Sequence, residues 1–401
     1  MLVIIATHPI QYHAPLWQAL AKDGRVPFEV WYFTNHAVTA SLDAEFGKSF
    51  AWDVDLVAGY RHRLLTVAPG ATPTTLILCR TIEPLEPMLR AAGARAVWIQ
   101  GWQVLGYWQA AWAAKRAGCE VWLRGESNDL ASPPWWKAPI KHLLLGRLFA
   151  RVDRFLCIGA ANRRLYKRFG VPDSRLGNAP YAVDNDRFTA QAAALRPQRN
   201  SLRARWGIGE TAFVAMFCGK FVAKKRPQDL VAAAKLARSD GFDVHLLFVG
   251  SGELGEELRR SCRIVFDADK RGIPSSGAND ERPSASFVGF LNQTEISKAY
   301  VAADCLALPS DYGETWGLVV NEAMASGLPC VVSDRCGCAE DLGVIGPNLI
   351  FPFADIDALS ERLGRLASRR PRIAPEALGE FSFDRTVKTV CAAFESLASR
   401  R

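Results

Sequence analysis

Short apolar runs alternate with amphipathic stretches along almost the whole 401-residue chain. That alternation constrains the fold more than any other feature. In the first half, strands are expected near Leu2–Thr7, Phe28–Phe33, Val97–Gln100, Glu120–Gly125 and Phe155–Gly159. Helical patterns lie between them at Pro15–Ala21, Pro84–Ala92 and Tyr107–Gly118. The pattern pauses over Val183–Ser201, where Asp184-Asn185-Asp186 and polar residues read as a crossing segment between two units. It then restarts with strands at Phe213–Cys218 and Val244–Val249 and near Phe287 and Leu306. Helices are expected at Pro227–Ala237, which opens on a proline suited to a first helical turn, and at Gly255–Ser261 and Glu295–Ala302. Arg271–Pro283 reads as a mobile surface loop and Asp384–Leu397 as a terminal amphipathic helix. Repeated strand–helix alternation predicts parallel, doubly wound sheets covered by helices on both faces. The length, at roughly 150 residues per domain, fits two or three domains, and we expect two similar α/β units in series.

Composition narrows the class. Hydrophobic residues make up 49% and charged residues 22%, which describes a folded soluble chain and excludes disordered or collagenous ones. No stretch reaches the roughly 18 apolar residues of a membrane-spanning helix. The apolar opening Met1–Thr7 has no basic region before it and runs into His8-Pro9, so it reads as a first strand, not a signal peptide. The formal charge of +8 admits nucleic acid, an anionic membrane surface or a phosphate-bearing small molecule as partner. The 10 cysteines are scattered, several of them in expected strands, as free thiols in a reducing cytoplasm would be. Cys336 and Cys338 lack the second ligand pair of a zinc site, and no metal site is expected.

The most informative stretch is Pro309-Ser-Asp-Tyr-Gly-Glu314-Thr-Trp-Gly-Leu-Val-Val-Asn-Glu322-Ala-Met-Ala-Ser-Gly-Leu-Pro329. A strand ending at Leu308 feeds a loop and then a helix expected to begin near Trp316 or Gly317 and to end at Gly327. The unpaired N–H groups and positive dipole end of such a helix form an anion site. Eight positions along a helix span about 12 Å, a separation that suits two carboxylates gripping hydroxyls on either side of a diphosphate. Two solvated acids would be the plain reading of Glu314 and Glu322 in isolation. The glycines and apolar run around them argue for a ligand loop instead.

A second stretch, Phe217-Cys-Gly219-Lys220-Phe-Val-Ala-Lys224-Lys225-Arg226-Pro227, places four cations at the carboxyl end of a strand. Open α/β sheets bind ligands there, and lysine holds phosphate as a point charge. An exposed basic turn is the alternative. Gly250-Ser-Gly252 follows another strand, but a G-x-G alone is a weak signal.

These stretches resemble the carboxy-terminal half of GT-B glycosyltransferases of family 4, a retaining group. Glu314 and Glu322 match the family's E-x7-E signature, and Gly219-Lys220…Lys225 matches its basic loop, with Lys220 in place of the commoner arginine. The resemblance covers about Phe213 to Pro352. It implies a GT-B fold, two Rossmann-like doubly wound domains facing across a cleft. Residues 1–185 would form the acceptor-binding domain and 186–383 the nucleotide-sugar domain. Residues 384–401 would form a helix packing back toward the first. It further implies that Lys220 and Lys225 hold the donor diphosphate, and that Gly219 and the backbone of Thr315, Trp316, Gly317 and Leu318 line it. Glu322 would take the ribose and Glu314 would face the transferred sugar. Gly289, in Phe287-Val-Gly-Phe290, would lie beside the base. No cofactor or metal is implied, only a nucleoside-diphosphate sugar as co-substrate, with a UDP-sugar favoured. A non-catalytic nucleotide-sugar-binding subunit and a GT-B sugar epimerase are the alternatives.

The first half is less typical of the family. His8, Gln11, Tyr12 and His13, after the first strand, are candidates for acceptor or sugar contact, against the alternative that a histidine merely caps the next helix. Arg124 and Glu126 stand where many relatives carry a functional histidine. Tyr181 and Asp184 fall near the domain crossover. The segment from Trp135 to Arg168 combines tryptophans, Leu143–Leu145 and spaced cations with little acid between, a pattern that suits an anionic leaflet. A solvated basic face over core leucines is the alternative. No nucleic-acid motif is present, and nucleic acid is not an expected partner.

Overall fold

The computed structural model describes residues 1–36, 41–43, 48–50, 52–131, 136, 138–269 and 281–397. The chain divides into two compact units. Unit 1 comprises Met1–Ser41, Val54–Val183 and Glu380–Arg401, and unit 2 comprises Leu42–Asp53 and Asp184–Gly379.

Unit 1 is built on strands β1 (Leu2–Ala6), β2 (Phe28–Tyr32), β3 (His62–Leu64), β4 (Ala96–Ile99), β5 (Glu120–Leu123), β6 (Arg154–Cys157) and β7 (Leu176–Asn178). They form one parallel sheet in the order β3-β2-β1-β4-β5-β6-β7. β1 and β4 pair from Leu2 opposite Ala96 to Ile5 opposite Ile99. The central strands are buried on both faces, which is why they read as unbroken apolar runs. One face packs Val3, Trp31, Ile99 and Leu123 against Tyr107 and Phe155. The other packs Leu2, Trp98 and Trp122 with Trp17 and with Val387, Val390 and Phe394 of the last helix, Phe383–Glu395. Each such side chain, fully buried, contributes about 1.5–3 kcal/mol.

Unit 2 carries β8 (Phe213–Cys218), β9 (Val244–Val249), β10 (Arg263–Asp267), β11 (Ser284–Gly289), β12 (Cys305–Leu308), β13 (Cys330–Ser333) and β14 (Leu349–Phe351). Its parallel order is β10-β11-β9-β8-β12-β13-β14. In both sheets the first strand is central and the strand order reverses beside it, between β1 and β4 in one and between β8 and β12 in the other. Ligands of open α/β sheets bind outside the strand ends at such a reversal.

Several expectations need correction. Val183–Ser201 begins at the division between the two units, as expected of a crossing segment, but it is helical, with helices Asn185–Leu195 and Arg199–Arg205. The Asp184-Asn185-Asp186 run marks a helix start, with the Asp184 carboxylate accepting from Arg187 N at 3.0 Å. Residues 271–280 of the expected loop lie outside the described residues, and strands β10 and β11 flank it. β3, β7 and β14, three residues each, were not expected. No helix among the described residues is long and apolar enough to cross a membrane.

Candidate functional site

The residues of unit 2 expected at a donor site gather at the ends of β8 and β12. Backbone geometry explains the glycines first. Gly219 (φ 143), Gly250 (φ 127) and Gly252 (φ 156) adopt conformations closed to other residues. A Cβ on Gly252 would lie 2.6 Å from Phe221 O, and one on Gly250 would overlap the Gly219 carbonyl. The loop after β8 is thus laid directly on the loop after β9, with Phe221 N donating to Ser251 O at 2.9 Å and Gly219 N to Val249 O at 3.0 Å. The G-x-G is a backbone-packing device. Gly289, at the end of β11, accepts from Gly250 N at 2.8 Å and joins the same layer. Beside it the Phe290 ring lies 6.3 Å from that of Trp52.

Lys225 and Glu314 meet here as a partly buried ion pair, the ammonium donating to Oε2. Burial pulls the Lys225 ammonium down, but the Glu314 charge and hydrogen bond outweigh it and hold it above its ordinary value. Arg226 is turned away to Asp229, with Nε to Oδ2 at 2.6 Å. Lys224 makes no ion pair among the described residues, and its stem lies 3.4 Å from where a Cβ on Gly313 would stand. Lys220 sits between Gly219 and Phe221 on the same loop, half-buried. Ser310, fully buried just beyond β12, has a hydroxyl with no partner among the described residues.

The helix after β12 runs Leu318–Ala325, with Gly317 at its N-cap in a left-handed conformation (φ 105). It starts one to two residues later than expected, and Glu314 is not on it. As expected, Glu314 precedes the helix and Glu322 lies within it, so part of the spacing between them is loop. Trp316 is buried and donates to Asn321 Oδ1 at 2.8 Å, which ties the loop to the helix. Gly337 N donates to Glu314 O at 3.1 Å and Cys338 N to Trp316 O at 3.0 Å, which hold the Glu314–Leu318 turn against the segment after β13. Thr315 belongs to this turn. Glu322 is only 2% exposed, and Tyr300 donates its hydroxyl to Oε2 at 2.7 Å. Tyr300 was missed in the sequence, where a tyrosine in a helix 22 residues upstream carries no signal.

In unit 1 a second polar cluster stands at the ends of β1, β4 and β5. His13 occupies the N-cap of helix Ala14–Asp23 but makes no side-chain cap bond, so it does not serve merely as a cap. Its ring stacks on that of Tyr181 at 6.4 Å, and the Arg124 guanidinium lies 4.7 Å over the other partner of the stack, the Tyr181 ring. Tyr181 donates to Glu126 Oε1 at 2.6 Å, and the same oxygen stands 3.8 Å from His13 Nε2. Asn162 donates to Gly125 O at 3.0 Å and Ser127 O at 2.6 Å, fixing the loop that carries Glu126. Arg124, 3% exposed, donates to Pro180 O at 3.2 Å and Ala179 O at 3.4 Å. Its Nε, His13 Nε2 and Gln100 Nε2 are buried without hydrogen-bond partners among the described residues. Gln100 was not anticipated. Burial, with Arg124 and His8 nearby, drives His13 well below its ordinary value, and burial with His36 brings His8 down to about 4. His8 also pairs with Thr7 Oγ1 at 3.0 Å. Gln11 and Tyr12 are half-buried in the turn between.

The basic aromatic segment is only partly described, since Trp135 and Lys137 lie outside the described residues. In the helix Ala138–Phe149, Leu145 and Leu148 are core, but Ile140, Leu143 and Leu144 are exposed, as is Trp136 just before it. The alternative of Leu143–Leu145 as core leucines holds for Leu145 alone. The cations downstream are less free than their spacing implied: Arg164 and Arg168 share Asp129, and Arg163 and Lys167 share Asp173. The ten cysteines are unpaired, nine of them buried, and burial pushes thiols such as Cys157 and Cys262 up to about 12. No group of three or more His, Cys, Asp or Glu able to hold a metal occurs among the described residues.

Residues 212–369 match the family model described as glycosyl transferases group 1. A D-inositol 3-phosphate glycosyltransferase of Nocardia farcinica is 30% identical over 231 residues, 57% of this chain and 48% of that protein. The chain thus spans about half the length of this relative. A GDP-mannose-dependent alpha-(1-6)-phosphatidylinositol monomannoside mannosyltransferase of Mycolicibacterium smegmatis is 25% identical over 383 residues, 92% of this chain and 84% of that one. Among solved structures, Anabaena HepE in complex with UDP superposes with a TM-score of 0.65 at 15% identity, covering 98% of this chain and 99% of that chain. An alpha,alpha-trehalose 6-phosphate synthase from Burkholderia multivorans superposes with a TM-score of 0.67 at 15% identity, covering 100% and 97%. At such identities the likeness establishes the fold, two doubly wound α/β units of the GT-B type.

Proposed function

We propose, from the premise that residues 212–369 belong to the glycosyl transferases group 1 family, that this chain is a retaining glycosyltransferase. It moves a hexosyl group from a nucleoside-diphosphate sugar to a hydroxyl acceptor without a metal ion. The observation that carries the reading is the Lys225–Glu314 pair at the strand reversal of unit 2, with Glu322 in the helix behind it.

Lys225 and Lys220 neutralise the diphosphate of the donor, and the first-turn amides of the helix Leu318–Ala325 add their dipole. Fixed positive charge at the leaving group supplies what a divalent ion supplies elsewhere. Glu314 hands its hold on Lys225 to the diphosphate and turns to a hydroxyl of the transferred sugar. Glu322, positioned by Tyr300, takes the ribose. Retention follows if the acceptor attacks from the leaving-group face, so no enzymic nucleophile is required.

UDP is the favoured nucleotide, as in the HepE complex, with GDP the rival because the Mycolicibacterium relative is GDP-mannose-dependent. The acceptor binds unit 1 through His13, Arg124 and Glu126, with His8, Gln11 and Tyr12 at its margin. Buried donors without protein partners are costly unless a ligand satisfies them. A lipid- or glycan-linked acceptor fits the exposed Trp136, Ile140, Leu143 and Leu144 beside Lys141 and Arg147, which suit peripheral contact with an anionic leaflet at the inner face of the membrane.

A mass-spectrometric screen of UDP-, GDP- and ADP-sugars against extracted lipids and glycans, with the product anomer read by NMR, tests this reading. A retained anomer supports it, whereas an inverted product or no transfer from any donor overturns it. Glu314→Ala is expected to lower turnover chiefly and Glu322→Ala to weaken donor binding chiefly.

A further inference from the structure

Unit 1 contains a feature that the donor and acceptor residues do not use. A groove of about 630 Å3 runs between the segment before residue 83 and the helix Leu105–Arg116, lined by Arg80, Ile82, Leu105, Trp108 and Trp112 with Thr81 and Gln109. Its walls are fixed. Gln109 holds both backbone groups of Thr81, accepting from N at 3.2 Å and donating to O at 2.9 Å. Leu105 N donates to Leu76 O at 2.7 Å and Gly106 N to Cys79 O at 2.9 Å.

The apolar part of the lining is Ile82, Leu105, Trp108 and Trp112. Trp108 spends its indole N–H on Trp102 O at 2.9 Å, and its ring lies 5.6 Å from that of Trp112. Ile82, in the lining, is 65% exposed. Leu76 and Ile77, upstream in the same segment, are also exposed, and exposed aliphatics gathered in one region mark a binding surface. The lining contains no acid, and Arg80 makes no ion pair or side-chain hydrogen bond among the described residues. An apolar trough with Arg80 in its lining, the Arg151 guanidinium 4.4 Å over the Trp112 ring and no carboxylate in the lining complements an anionic head on an aliphatic chain.

We propose that this groove seats the aliphatic chain of an anionic amphiphilic acceptor, with Arg80 at its charged end. The Leu105 end of the groove adjoins the carboxyl edge of β4, the edge that carries the His13 cluster. A chain lying along Trp108 and Trp112 with its head at the Leu105 end would bring that head to the same edge. The role of the head rests on the transferase reading, and the binding of the chain does not.

The test uses the full-length protein and 16-doxyl-stearate below its micellar concentration, read by quenching of tryptophan fluorescence, beside the neutral methyl ester of the same probe. Saturable quenching is expected, weakened roughly tenfold or more by Ile82→Glu, as removal of one aliphatic contact and burial of a charge requires. Arg80→Gln should weaken the stearate several-fold and leave the ester unchanged. Nucleotide binding by both variants, measured by calorimetry, should match the parent. That control separates this proposal from the donor-site reading, which fails only if the nucleotide itself does not bind. Absence of saturable quenching, or equal affinity in Ile82→Glu, overturns the groove. So does loss of binding in Leu143→Glu but not in Ile82→Glu, which would place the chain on the neighbouring exposed helix.

Discussion

Lys225 donates its ammonium to Glu314 across 89 residues of sequence, joining the loop after β8 to the loop after β12. The pair is an internal stand-in: a carboxylate occupies the cation that a diphosphate is proposed to take. Removing the cation should cost a charge-assisted hydrogen bond to the ligand. Lys225→Ala is expected to weaken nucleotide binding roughly ten- to hundredfold, as measured by calorimetry. Glu314→Gln releases Lys225 without emptying the space. It should bind nucleotide at least as tightly as the parent while turnover falls on the order of a hundredfold. Weaker nucleotide binding in Glu314→Gln would contradict the stand-in.

Tyr300 holds the Glu322 carboxylate in a site almost closed to solvent. Tyr300→Phe removes the donor and leaves a buried acceptor short of a partner, at a cost of about 1–3 kcal/mol in a denaturant titration. If Glu322 binds the ribose, the same variant should also weaken nucleoside diphosphate more than inorganic pyrophosphate. Equal loss for both ligands would assign Tyr300 to folding alone.

His8 is depressed to about 4 from an ordinary 6.5, and His13 lies well below the same value, in each case first by burial. The unfolded chain takes up these protons near pH 6.5, and folded His8 refuses its own until about pH 4. Their contribution is complete above the unfolded value and is lost as pH falls through that window. Thermal denaturation between pH 7 and 4 should show a decline of which His8 alone supplies on the order of 3 kcal/mol, a part that His8→Gln removes. An unchanged slope in that variant would exclude the histidine.

Gly250 touches the Gly219 backbone so closely that any side chain must separate the two loops. Gly250→Ala is expected to cost several kcal/mol, from clash and positive φ together, and to weaken nucleotide binding by moving Lys220. Gly24→Ala, in a left-handed position with nothing within 4 Å, should cost only about 1 kcal/mol. Comparable losses in both would mean that φ strain, not loop contact, explains Gly250.

The sequence made the central strands legible because burial on both faces writes them as plain apolar runs. β8 and β9 fall where the runs at Phe213–Cys218 and Val244–Val249 put them. The edge strands were not legible: His62–Leu64 is exposed throughout, so no burial pattern marks it. Asp184-Asn185-Asp186 read as a break between two units and not as a helix start, because caps and loops favour the same residues for the same side-chain-to-backbone bonds. The site divides similarly. Motif spacing named Lys225, Glu314 and Glu322, but the pairing of Lys225 with Glu314 is a long-range contact that no local pattern carries. Tyr300 and Tyr181 act through hydrogen bonds to residues 22 and 55 positions away, and Gln100 through the convergence of neighbouring strand ends.

The central claim is a nucleoside diphosphate held by lysines without a metal ion. Calorimetric titration of the full chain with UDP, GDP and ADP in excess EDTA tests it most directly. Saturable binding of one nucleotide, UDP first, unaffected by the chelator and lost in Lys225→Ala, is the predicted result. Binding of none, or binding that appears only when magnesium or manganese is restored, would contradict it.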